Sequence, residues 1–197
     1  MGRYTDASCK KCRRNKVKLF LKGARCETAK CAIEKRNYPP GLRSVIPKKQ
    51  SEYGRRLREK QKLRFFYGVS EKHISAYYEK ANRAKGVTGH NLLSLFERRL
   101  DNLIYRSKIA NSRKEARQLI RHGHFKLNDR KVTIPSIMAN EGDEIVVSAR
   151  GSKSFGKRLE GITQSVIPGW MSFDDKKKAV KVVQLPARDQ IDVPVEE

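Results

Sequence analysis

Cysteine is absent from all but the first sixth of this chain: four thiols stand at positions 9, 12, 26 and 31, and none follows. Also missing is any apolar run approaching the ~20 residues that a membrane-spanning helix needs. The opening residues MGRYTDASC have no apolar signal-peptide core, and Asp6 stands where a myristoylation signal has Ser or Thr. A cytosolic, reducing setting is therefore expected, in which structural disulfides are rare. Acidic side chains are scarce as well, 21 against 45 Lys and Arg, for a net charge of +24. No Ser–His–Asp arrangement, phosphate-cradling glycine loop or clustered carboxylate pair occurs. Catalysis has no residues to rest on, so neither an enzyme nor a small-molecule substrate is expected.

What is present is a strong positive field. Residues 1–60 carry net +14, residues 61–170 net +11 and residues 171–197 net −1. Such a field recruits polyanions. Nucleic acid is the expected partner, ahead of an anionic membrane surface. The near-neutral last segment suits a protein neighbour better than phosphate.

The cysteines fall as Cys9-x2-Cys12 and Cys26-x4-Cys31. Two short-spaced pairs divided by a loop are what a tetrahedral metal requires, each pair offering two thiolates from one turn. The Arg and Lys among them offset the charge of four thiolates. The first 45 residues hold few large apolar groups, so a metal is expected to supply the folding energy they lack. Zinc is the default and an iron–sulfur cluster the alternative, and spacing does not choose between them.

Three prolines and a glycine make residues 37–50 an irregular connector. SEYGRRLREKQKLRFFYG (51–68) predicts a helix capped by Ser51 and ended by Gly68. Its surface carries Arg55, Arg56, Arg58, Lys60, Lys62 and Arg64 against only Glu52 and Glu59, the pattern of a phosphate-facing helix. Ser70 to about Lys85 predicts a second, with Ile74, Tyr77, Tyr78 and Ala81 on a packed face. A third begins near Asn91. Ser112-x-x-Glu115 is a capping box opening a fourth, in which Arg113, Arg117 and Arg121 fall on one side as an RNA-contact ladder flanked by Lys114. HFKLNDRKVTIP predicts a hairpin turning at Asn128–Asp129, and EGDEIVVS a further strand. His122 and His124 are expected to serve a helix end and a strand rather than a metal.

These segments together resemble a known family. MGRYT, the four cysteines, CAIEKRNYPPG, SEYGRRLREKQKLRFFYG, GVTGHNLLSLFERRLDNLIYR and SRKEARQLIRHGHFKLNDRKVTIPS are similar to bacterial small-ribosomal-subunit protein S four, from residue 1 to about 192. The resemblance implies an α+β protein: a four-cysteine metal arm (1–45), a helical rRNA-binding domain (46–92), an S-four-type RNA-binding module with a small antiparallel sheet (93–160), and a C-terminal segment returning to the helical part (161–197).

It also implies a structural constituent of the small subunit that binds its ribosomal RNA early, nucleates assembly of the 5′ domain and influences decoding near the messenger entry channel. The neighbour there is ribosomal protein S five. The other reading is an RNA-modifying or RNA-recycling factor built on the same module. Carried over by position, the metal ligands are Cys9, Cys12, Cys26 and Cys31. RNA contacts fall on Arg3, Arg13, Arg14, the 55–64 helix, Arg113, Lys114, Arg117, Arg121, His122, Lys126 and Arg130, with Arg43, Lys48 and Lys49 nearest messenger RNA. The chain departs from the family pattern at Pro40-Gly41-Leu42-Arg43-Ser44, where Pro-Gly-Gln-His-Gly is usual, and at Asn128–Asp129, where Asn-Gly is usual. Its last residues, IDVPVEE, stand where relatives continue with a short apolar segment.

Overall fold

A computed structural model describes residues 4–41, 49–160 and 167–196. The chain forms two compact units, Met1–Ala76 with Val193–Glu197, and Tyr77–Asp192.

The first unit begins with the cysteine arm. Helix α1 (Cys9–Asn15) ends at Lys16 in the left-handed region; a short 3-10 helix (Gly23–Cys26) and a single helical turn α2 (Ala32–Lys35) follow. Leu19 is fully buried, the main apolar anchor of this small segment. Arg13 fastens its far end, donating from Nε to the Tyr38 carbonyl at 3.0 Å and lying over the Tyr38 ring. Helix α3 (Glu52–Tyr67) has the predicted ends. The Ser51 hydroxyl accepts from Gly54 N–H at 3.2 Å, and Gly68 takes φ 64°, a conformation that costs glycine least. Leu63, Phe66 and Tyr67 bury its inner face.

Helix α4 (Glu71–Arg83) buries Ile74, Tyr77 and Ala81 but leaves Tyr78 53% exposed, so its packed stripe is narrower than the sequence predicts. The third predicted helix is two: α5 (Thr88–Glu97) and α6 (Leu100–Arg106). The break has a partner. Leu100 N–H donates to the Ile137 carbonyl at 2.8 Å and Asp101 N–H to that of Pro135 at 3.1 Å, so a distant loop replaces the missing helical bonds. Helix α7 (Arg113–Arg121) is capped as predicted by Ser112 Oγ on Glu115 N–H; Glu115 reaches back to Asn111 N–H rather than to that of Ser112.

Strands β1 (Phe125–Leu127) and β2 (Arg130–Val132) form the hairpin. Asn128 and Asp129 sit at φ 47° and 63°, the doubly positive turn that hairpin twist favours. Asp129 occupies the position where glycine is usual. Ile134 lies beyond β2 and is 56% exposed. Strand β3 (Glu144–Val147) pairs antiparallel with β1.

Helix α8 (Ala149–Leu159) and strands β4 (Met171–Asp174) and β5 (Ala179–Val182) were not foreseen, nor were the short helices of the cysteine arm. The sheet is therefore five-stranded and antiparallel, in the order β2-β1-β3-β5-β4. This corrects the predicted return of 161–197 to the helical part: its strands complete the module's own sheet, and only the last residues from Val193 join the first unit. This tail contributes a packed hairpin with buried Met171, Ala179, Val180 and Val182. One core runs from Leu100, Leu103 and Ile104 through Ala116, Ile120, Phe125 and Ile145 to Trp170 and Val182.

Candidate nucleic-acid interface

The basic side chains divide into exposed ones and ones engaged by the fold. On α3, Arg55 and Arg56 stay largely in solvent while both pair with Glu52, at 2.8 and 3.2 Å. Lys60 pairs with Glu71, whose carboxyl is held below its usual pKa chiefly by that lysine. Arg64 Nη1 lies 3.6 Å from the other Glu71 oxygen. Lys62 is half-buried on Glu59 at 2.6 Å, and Arg58 is half-buried too. Arg14 and Lys49 are exposed. Arg3, Arg43 and Lys48 lie outside the described residues.

The arginine ladder of α7 departs most from its sequence reading. Arg113 is buried: its Nε donates to Asn102 Oδ1 at 2.8 Å and its guanidinium stacks on the Tyr105 ring, 4.3 Å from the centroid. Arg117 is mostly covered and meets Asp101 Oδ2 through Nε and Nη2 at 2.8 and 2.7 Å. Only Arg121 of the three is exposed, beside exposed Lys114 and His122. The i, i+4 spacing placed the first two on one side correctly, but that side faces α6 rather than solvent. Exposed cations of the module include Lys114, Arg121, Lys126 and Arg130, joined by Lys131, Lys108, Arg150 and Lys153, which the sequence reading omitted. Lys131 is the cross-strand partner of Lys126, and its side chain lies against Gly123, where a Cβ would stand 2.5 Å from Lys131 Cε.

Beneath these cations lies a polar network that sequence reasoning missed. Asp101, 2% exposed, also takes a two-point clasp from Arg99, at 3.0 and 2.8 Å; Arg99 in turn donates to the Tyr77 hydroxyl at 2.7 Å. Burial works against the Arg99 charge, but Asp101 and Tyr77 outweigh it and hold its pKa above the ordinary value. Glu97, 1% exposed, accepts from Asn102 at 2.7 Å and from Arg106 at 3.0 and 2.9 Å. A signal was available: FERRLDN sets five polar residues between Phe96 and Leu103 in an otherwise apolar pattern.

The cysteine segment folds without disulfides; Cys12, Cys26 and Cys31 are buried and Cys9 half-buried. Burial raises the pKa of Cys12 and of Cys26, and the neighbouring thiols push in the same direction. Backbone N–H groups point at sulfur, Lys22 at Cys26 Sγ (3.4 Å) and Leu19 at Cys12. Among the described residues, however, no group of three His, Cys, Asp or Glu side chains is arranged to hold a metal ion. The donor types and their burial nevertheless fit a four-thiolate centre.

No helix among the described residues is long and apolar enough to cross a membrane. The family model described as ribosomal protein S4/S9 N-terminal domain matches residues 3–97, and that of the S4 domain matches residues 98–145. Small ribosomal subunit protein uS4 of Geotalea daltonii is 51% identical over 199 residues, covering 100% of this chain and 96% of that protein. The uS4 proteins of Desulforamulus reducens and Geobacter metallireducens are each 50% identical over the same coverage. Half of all positions shared along the whole chain, with both domains matched in order, establish that this chain belongs to the uS4 family of small-ribosomal-subunit proteins.

Proposed function

We propose that the chain is a structural, non-catalytic constituent of the small ribosomal subunit, acting in the cytoplasm. It binds small-subunit ribosomal RNA early at a junction of the 5′ domain, nucleates assembly there and influences decoding near the messenger entry channel. The observation that carries this reading is the full-length likeness to uS4 proteins. The exposed cations of α3 and of the hairpin module supply the chemistry, because each neutralised phosphate releases counterions. Lys114, Arg121, Lys126, Arg130 and Lys131 form the module's RNA face, and Arg113 and Arg117 shape it through Asn102 and Asp101. Lys49 lies nearest messenger RNA, with ribosomal protein S five as neighbour.

Titration against a 5′-domain rRNA transcript with excess transfer RNA, at physiological salt, tests the reading. Binding that survives the competitor is expected; binding abolished by it would reduce the +24 charge to a generic polyanion trap. Replacing Lys114 and Arg121 by Ala should lower the slope of log K against log salt by roughly 0.9 for each phosphate no longer neutralised. An unchanged slope would remove both residues from the RNA face.

Cys9, Cys12, Cys26 and Cys31 are the ligands of a zinc ion in this reading, with an iron–sulfur cluster as the alternative occupant. Support comes from the four-thiol donor set, its burial and the N–H groups aimed at sulfur. Bound metal would supply folding energy to an arm with little core. One equivalent of zinc per purified chain is expected. Retention of no metal, together with a fold unaltered by chelator, would refute the site.

A further inference from the structure

Tyr53 is 74% exposed in the first turn of α3, more than any other large hydrophobic side chain among the described residues. It is not alone on its face. Tyr53, Arg56, Leu57 and Lys60 recur at i, i+3, i+4 and i+7, which puts them on one stripe of the helix. Leu57 is 38% exposed, and the side chains of Arg56 and Lys60 are 79% and 45% exposed. The other side of the helix buries Phe66 and holds the Lys62–Glu59 pair, and the stripe itself passes into the core only further along, at Leu63 and Tyr67. Among the described residues the Tyr53 side chain makes no hydrogen bond or ring contact.

We propose that this stripe takes an unpaired nucleotide of the ribosomal RNA, with the Tyr53 ring stacked on its base, Leu57 beneath the sugar, and Arg56 and Lys60 on the flanking phosphates. The proposal rests on the rRNA-binding reading and specifies its mode at α3: a splayed-out base rather than duplex backbone alone. Charge complementarity selects the occupant. An aromatic ring bordered by two exposed cations suits a polyanion with π-faces, whereas an apolar protein surface would have to desolvate both charges. Glu52 keeps the cation beside the ring in place, accepting from Arg56 Nε at 3.2 Å. Tyrosine also loses few rotamers on ordering, having only two side-chain torsions.

The test compares wild type, Tyr53→Ala, Tyr53→Phe and Arg56→Ala in titrations against the 5′-domain rRNA transcript at several salt concentrations. Loss of one base stack weakens binding about 5- to 150-fold. Tyr53→Ala should show that loss with the salt slope unchanged and, because the ring is exposed, with an unchanged thermal midpoint. Phe should restore binding, since the ring and not the hydroxyl makes the contact. Arg56→Ala should instead reduce the slope by roughly 0.7 to 0.9. Chemical probing should find one base that is protected by wild type and by Tyr53→Phe but reactive with Tyr53→Ala. Wild-type affinity in Tyr53→Ala would overturn the proposal and assign the stripe to a protein neighbour. Failure of Phe to rescue would also overturn it. If wild type itself yields to transfer RNA competitor, the rRNA reading falls and this one with it.

Discussion

Asp101 shows how much one side chain does at the residue scale. Its carboxylate meets Arg99 and Arg117 inside the protein, so removing it leaves guanidinium charge without its counterion in a site 2% exposed. Breaking one partner from a buried ion pair costs about 3–5 kcal/mol. Asp101→Ala should therefore lower the unfolding free energy by that order, whereas Glu52→Ala, which frees two exposed pairs, should cost under about 1 kcal/mol. Urea unfolding of the two variants checks the contrast.

His124 supplies a second test at this scale. Burial, then Arg150 and His122, hold its pKa below the ordinary 6.5. The unfolded chain takes up a proton there that the fold refuses, so stability from this group is complete above about pH 6.5 and falls as pH drops toward the folded pKa. His124→Phe should flatten that part of the stability–pH profile. Glu71, whose pKa is lowered from 4.5, acts in the same direction but in a more acidic window, so the two separate in a pH series.

At the scale of elements, termini were legible because capping is local chemistry. Ser51, Ser112, Gly68 and the Asn128–Asp129 turn each declare a boundary within four residues of chain. The split of α5 from α6 was not legible, because the carbonyls that accept the freed N–H groups belong to Pro135 and Ile137, more than thirty residues away. Helix α8 was missed for a related reason. It carries Gly151 and Gly156 and a non-helical Phe155, all poor local signals, and stands because it packs on the sheet. That packing is close: a Cβ on Gly151 would lie 2.8 Å from Val147 Cγ1 and 2.9 Å from the His124 carbonyl. Gly151→Ala should therefore destabilise the protein by about 1–3 kcal/mol despite alanine's better helix propensity. A thermal midpoint that rises instead would show that α8 shifts freely.

For the molecule as a whole, the division at Ala76 and Tyr77 predicts separable behaviour. Cys12→Ala should expose the arm of residues 4–41 to limited proteolysis and leave the Tyr77–Asp192 unit resistant. Cleavage spreading at equal rate through both units would show that they fold as one. The boundary differs from the expected one near residue 93 because Tyr77 is tied to Arg99 and Phe96, across residues that sequence assigns to different helices.

Sequence by itself determined the positive field, the absence of catalytic constellations, the helix caps, the hairpin and, through its motifs, the family. All of these depend on composition or on neighbours a few residues apart. Only the tertiary structure decided which arginines remain outside. Arg113, Arg117 and Arg121 share one helical spacing, and the first two are drawn inward by Asn102 and Asp101 of another helix. It also decided that the near-neutral tail closes the module's sheet, since β5 meets β3 through a register that no local pattern encodes. Charge patterning reports what a side chain is; only the packed neighbour reports which way its charge is used.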